Sequence, residues 1–204
     1  MFLSADALVA FLVAVSFAAG LNVYATVATL GLLARANVLS LPGNLDLLGQ
    51  WWVIGGSGAL FLIEFAADKI PGFDLIWNAL QTFVRVPVGA LLAYSATNRL
   101  GPEWQLGAAA LGGAIALMAH AGKTAARTAV TPSPEPFSNF ALSVAEDGFA
   151  IFITWFATRH PYIAGAIVVL LIAILIVLIR WIVRALKSLL RPAPTQTPVT
   201  PTLS

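Results

Sequence analysis

Apolar stretches of about 20 residues, the length a helix needs to cross a bilayer, recur six times along this chain. They run over about 7–33, 51–70, 73–97, 104–127, 137–158 and 162–186. Polar punctuation separates them: an interfacial stretch 34–50 broken by Pro42-Gly43, then Pro71-Gly72, a turn over Asn98–Glu103, a proline-rich loop from Thr131 to Pro136, and Arg159-His160-Pro161. Trp51 and Trp52 open the second segment, as aromatic residues do at a headgroup boundary. Pro87 predicts a kink in the third. The pattern predicts an all-α, polytopic helical membrane protein with about six transmembrane helices. Residues 1–190 read as one transmembrane domain, and 191–204 as a disordered Pro/Thr-rich cytoplasmic tail. The first stretch lacks a basic leader and is too long for a signal peptide, so it reads as a retained helix.

Composition strengthens this picture. Of 204 residues, 59% are hydrophobic and 10% charged, against about 25% charged in a soluble domain. The net charge of +2 owes most to Arg180, Arg184, Lys187 and Arg191, which follow the last apolar run. Basic residues there anchor a helix end at a membrane surface, and a nucleic-acid partner is not expected. With no cysteine, disulfide and thiolate chemistry are excluded. If both termini share one side, that side holds Lys69, Lys123, Arg127, Arg180, Arg184, Lys187 and Arg191. The other holds Arg35, Arg99 and Arg159. The positive-inside rule then predicts cytoplasmic termini.

Nine ionisable residues interrupt the apolar segments or sit at their ends: Glu64, Asp68, Lys69, Arg85, His120, Lys123, Arg127, Glu146 and Asp147. A charge at the centre of a spanning helix costs about 2.5–3.5 kcal/mol on insertion scales, so such residues face a partner or a watery cavity. Glu64 and Asp68 are four apart and share a helix face, as do Lys123 and Arg127. An acidic face can therefore meet a basic one.

The second and fourth segments open alike, Gly55-Gly56-Ser57-Gly58-Ala59-Leu60 beside Gly112-Gly113-Ala114-Ile115-Ala116-Leu117. Each runs to a charged group, a proline break and a new helix with an Ala-Leu pair. The reading is a tandem repeat of hairpins, about 51–97 and 104–158, in the same orientation, with Arg85 opposite Asp147. Transporter sites often lie between such repeats. A weaker echo between the first and fourth segments hints at an inverted relation.

The candidate site follows from these positions. Lys123, Arg127 and Arg85 are anion or counter-charge groups, and Asp68, Glu146 and Asp147 are cation or proton carriers. Ser138 and Asn139 follow the stiff Thr131-Pro-Ser-Pro-Glu-Pro136 loop, where they can cap the fifth segment and offer donors to an anion. His120 reads as a hydrogen-bonded interior residue of the same cluster. Asn22, Tyr24, Glu64, Lys69, Asp74 and Asn78 are secondary candidates. No metal-ligand spacing and no catalytic motif stand out, so neither a metal, a cofactor nor an enzyme is expected.

Gly20-Leu21-Asn22-Val23-Tyr24, Phe65-Ala-Ala-Asp68-Lys69-Ile70-Pro71, Thr82-Phe83-Val84-Arg85 and Ser133-Pro-Glu-Pro-Phe-Ser-Asn139 with Glu146-Asp147 resemble the bacterial membrane-protein family called domain of unknown function 4126, over about residues 10–185. The resemblance implies the fold, the signature positions and a bacterial cytoplasmic membrane, but no substrate. The expectation is a small transporter or channel-like protein acting on a small anion, a lipid-linked phosphate or a coupled ion such as a proton. A scaffold or accessory subunit of a larger complex is the alternative, an intramembrane enzyme a distant third. Homo-oligomerisation stays open.

Overall fold

The computed structural model describes residues 3–36, 41–42, 44–68, 73–130 and 136–189. These are helical throughout, without a strand: α1 (Ala5–Leu21), α2 (Val23–Arg35), a 3₁₀ turn (Leu45–Gly49), α3 (Trp51–Ala67), α4 (Phe73–Ala96), α5 (Pro102–Val130), α6 (Pro136–Arg159) and α7 (Pro161–Leu189). Three helices open on proline, whose missing N–H costs nothing in a first turn. Stretches of α4, α5, α6 and α7 are long and apolar enough to cross a membrane, and α1, α2 and α3 are shorter apolar helices. The chain divides into Met1–Ile172 and a second unit from Ala173 onward. The described part of the second unit is helix alone, aliphatic to Ile179 and then bearing Arg180, Arg184 and Lys187.

Within the first unit the usual distribution of polarity is inverted. Leu62, Phe83, Trp104, Phe152 and Val169 are exposed, while Glu64, Asp68, Arg85, Lys123 and Arg127 are buried. That suits a protein whose surrounding solvent is hydrocarbon. α1 occupies the middle, packed against α4, α5 and α6. It is apolar on every side, and its residues from Ala14 to Leu21 are all buried, as an all-round apolar helix requires.

The first apolar stretch is where structure and expectation part. It is not one helix. Asn22 adopts extended geometry (φ −150°, ψ 103°), and its side chain caps α2 by accepting from the Ala25 N–H at 2.9 Å. The chain then turns back. Ser4 and Asp6, at the start of α1, meet Tyr162 at the start of α7. Ala5 shares a groove with Thr97, Leu100 and Trp104 of the α4–α5 turn. Past the far end of α2, Asn44 bonds to the Ser95 carbonyl and the Asn98 side chain, and Gly31 lies against Leu48. So α1 and α2 enter and leave at one end of the unit, the end that holds Arg35, Arg99 and Arg159. The expected separation of the N-terminus from those three arginines is thereby corrected. A helix broken by an extended residue no longer has to continue to the opposite side.

α5 supplies the tightest packing. A Cβ at Gly112 would lie 2.7 Å from both Ala93 Cβ and the Gly89 carbonyl oxygen. One at Gly20 would collide with the Ala116 carbonyl and lie 2.7 Å from Ala119 Cβ. These contacts also make α1 and α5 parallel, with Ser16 beside Gly112 and Gly20 beside Ala116, so the inverted relation of first and fourth segments is not present. The similar glycines of α3 do otherwise: a Cβ at Gly55, Gly56 or Gly58 would meet nothing within 4 Å.

Candidate functional site

A break in a helix leaves main-chain carbonyls without internal donors. At the end of α1 these are met by cations from two other helices. Arg85 of α4 donates from Nη1 to the Gly20 carbonyl at 3.3 Å, and Lys123 of α5 donates to the Leu21 carbonyl at 3.2 Å. The negative end of the α1 dipole favours both charges. The third residue of the break takes an acid: Asn22 Nδ2 donates to Asp147 Oδ1 of α6 at 2.8 Å. Three consecutive residues thus gather charged side chains from three helices. Gly20 is needed because α5 lies too close for any Cβ.

The remaining charges close around this point. Glu64 of α3 pairs with Arg85. Asp68, the residue that ends α3, pairs with Arg127 at 2.7 Å and Lys123 at 3.5 Å. Glu146 pairs with Arg127 at 3.0 Å and Lys123 at 3.4 Å. Lys123 also lies 3.7 Å from Glu64. The acidic face of α3 thus meets the basic face of α5. Arg85 and Asp147 do not pair: Arg85 goes to Glu64 and Gly20, and Asp147 to Asn22.

The tautomer of His120 follows by elimination. Arg85 Nη1 lies 2.8 Å from His120 Nδ1, and a guanidinium only donates. Nδ1 therefore accepts, the ring is neutral, and its proton sits on Nε2. From there it donates to Thr82 Oγ1 at 2.8 Å. Asn78 lines the same face of α4 through its carbonyl, which accepts from Thr82. Gln81, one turn before Arg85, donates to the Tyr24 hydroxyl at 3.2 Å.

Several polar atoms in this interior have no hydrogen-bond partner: Glu64 Oε2, Asp68 Oδ1, Glu146 Oε1, Asp147 Oδ2, Asn78 Oδ1, Gln81 Oε1, Ser143 Oγ and the donor Arg85 Nε. Most of these are acceptors, so among the described residues open acceptors outnumber open donors.

Of the sequence candidates, Asp68, Arg85, His120, Lys123, Arg127, Glu146, Asp147, Glu64 and Asn22 come together. Tyr24 and Asn78 join them through Gln81 and Thr82. Lys69, and the side chains of Asp74, Ser138 and Asn139, lie outside the described residues. α6 begins at Pro136, so Ser138 and Asn139 fall within its first turn and do not precede it as caps. The main-chain carbonyls of Gly20 and Leu21 escaped sequence reading, as did Gln81 and Thr82. A glycine and an asparagine inside an apolar run longer than one crossing were the available signal.

Separate from this cluster, an apolar groove of about 550 Å³ runs between α1 and α5, with Ser16 among its lining residues. It contains none of the charged residues.

The chain belongs to the family described as Domain of unknown function (DUF4126), whose model matches residues 9–181. No curated protein and no solved structure matches it.

Proposed function

We propose that this protein is a small membrane transporter or channel-like protein whose buried charged cluster handles a coupled cation, the proton foremost. The observation that carries this reading is the helix break at Asn22, which receives Arg85, Lys123 and Asp147 from three helices. Ion pairs alone can fix helix register, and they need no interrupted helix to do so. Discontinuous helices at a charged midpoint are how many transporters build ion sites. A free anion or lipid-linked phosphate fits less well. Lys123 and Arg127 are the groups that would hold it, and both are already engaged by Asp68 and Glu146.

In this reading the protein sits in the bacterial cytoplasmic membrane. The hairpin α1–α2 dips in and returns, and the other helices cross. The positive-inside rule puts the basic residues that follow Ile179 in the cytoplasm.

One observation favours the accessory-subunit alternative. The glycines of α3 contact nothing, although Leu60, Leu62, Trp51 and Trp52 beside them are exposed. Small residues of this kind admit a partner helix.

The test is flux. Purified protein in liposomes carrying an internal pH-sensitive dye should pass protons under an imposed potential, and Asp68→Asn, still folded by gel filtration, should lose that flux. Liposomes that pass neither protons nor sodium above the protein-free rate would remove the transport reading.

A further inference from the structure

We propose that Asp147 is the group that takes up and releases the exchangeable proton, and that Asn22 transmits its charge state to the α1–α2 break. This rests on the transport reading above and names the carrier within it.

Each of the other acids in the cluster has a cation. Glu64 has Arg85 and Lys123, Asp68 has Lys123 and Arg127, and Glu146 has the same two. Asp147 has none among the described ion pairs. Its partner is the neutral amide of Asn22. Among the described residues four acids thus face three permanent cations, because His120 is held neutral by Arg85. α6 packs against α1, α2 and α5. The groups that face the cluster from these and from α3 and α4 are Asn22, Tyr24, His120, Lys123, Arg127, Glu64, Asp68 and Arg85, with Glu146 on α6 itself. Among those residues the acid without a base is Asp147.

Asp147 is also built to hold a proton. It is only 4% exposed, and its Oδ2 has no partner. Ser143 lies one turn earlier on the same face of α6. Its hydroxyl is fully buried and likewise unpartnered. An open oxygen with a buried hydroxyl one helical turn away suits a proton, whereas a metal ion requires several oxygens at once. The step is simple: a proton from water on one side forms an O–H bond at Oδ2, and the same bond breaks when the proton leaves to the other side. No other bond changes.

Asn22 is placed to register that change. Its Nδ2 donates to Asp147, and its Oδ1 accepts from the Ala25 N–H that starts α2. The amide cannot turn without losing both bonds. Against a carboxylate the first bond is charge-assisted and strong; against a carboxylic acid it is an ordinary one. Protonation therefore loosens the cap of α2, right beside the two carbonyls that hold Arg85 and Lys123.

The experiment combines infrared difference spectroscopy with flux, on protein in nanodiscs and liposomes with ¹³C-carboxyl aspartate. Acidification should produce one protonated-aspartate carbonyl band. That band should vanish in Asp147→Asn and remain in Asp68→Asn and Asp147→Glu, shifted in the last to an unlabelled glutamate position. Proton flux should fall to the protein-free rate in Asp147→Asn and return in part with Asp147→Glu. Asn22→Ala should keep the band yet lose flux, the mark of a carrier cut off from its hinge. A band that survives Asp147→Asn overturns the assignment, as does cation flux that does not need an acid at this position. If wild-type protein shows the Asp147 band but no flux, the transport reading fails and the proton assignment stands. If it shows flux with the band elsewhere, the transport reading stands and the assignment to Asp147 fails.

Discussion

Helices α3 and α5 carry nearly the same run of letters and are put to different uses. Gly112 of α5 is pressed between α4 and α1, with Ser16 Oγ 3.0 Å from where its Cβ would stand. A Cβ at Gly55, Gly56 or Gly58 of α3 would stand in open space. The charges diverge in the same way. Glu64 commits to one close, fully buried partner, Arg85. Lys123 and Arg127 of α5 are each shared between acids. The cause of the difference is α1. It lies along α5 and not along α3, so one of the two helices becomes a packing core and the other a face. Sequence similarity between two helices reports a likeness of shape, while the third element decides what each does.

The comparison can be broken most decisively at the glycines. Gly20→Ala sets a methyl against the Ala116 carbonyl, where backbone cannot yield cheaply. Overpacking of this kind costs about 1–3 kcal/mol or more, and a steep loss of thermal stability in detergent is expected. Gly56→Ala should leave the midpoint unchanged or raise it by up to about 1 kcal/mol of helix propensity. Equal effects at the two positions would erase the distinction between α3 and α5.

The charges come next. Removing one partner of a buried pair costs about 3–5 kcal/mol, so Glu64→Gln should destabilise strongly by leaving Arg85 uncompensated. Changing Glu64→Gln and Arg85→Met together should recover much of that. Glu146→Gln should cost less, because Lys123 and Arg127 keep Asp68. Denaturation in mixed micelles, followed by tryptophan fluorescence, ranks the three.

Asn22→Ala removes the cap of α2 for about 1 kcal/mol, a modest loss of melting temperature beside the larger functional loss expected above. Smallest of all is Asp6. Hydrogen bonds from Ser4 and then Tyr162 hold its carboxyl down at about 2, from an ordinary 3.8. The folded value lies below the unfolded one, so the contribution is complete above about pH 4 and fades as pH falls toward 2. Asp6→Asn should flatten the acid side of the stability profile in that window and do nothing near neutrality. It is fully exposed and its effect is slight.

Much of the fold was legible in the chain. Apolar length, proline starts at 102, 136 and 161, and the turn residues placed five of the six segments near their observed limits. Charges spaced four residues apart predicted which faces would meet, since spacing alone sets a helix face. The acid face of α3 and the basic face of α5 follow from that. What spacing could not supply was the partner of Arg85 or of Asp147, because spacing sets the face of one helix and not which other helices pack against it.

The sequence by itself determined that this is an all-helical chain with an apolar exterior and an internal set of charges. Those features depend on local periodicity and on the cost of leaving charge in hydrocarbon. Only the tertiary structure decided that the first apolar stretch breaks at Asn22 and folds back. An extended residue in the middle of an apolar run is worth its lost helix bonds only when other helices donate to the carbonyls it exposes. Those donors, Arg85 and Lys123, lie more than 60 and 100 positions away.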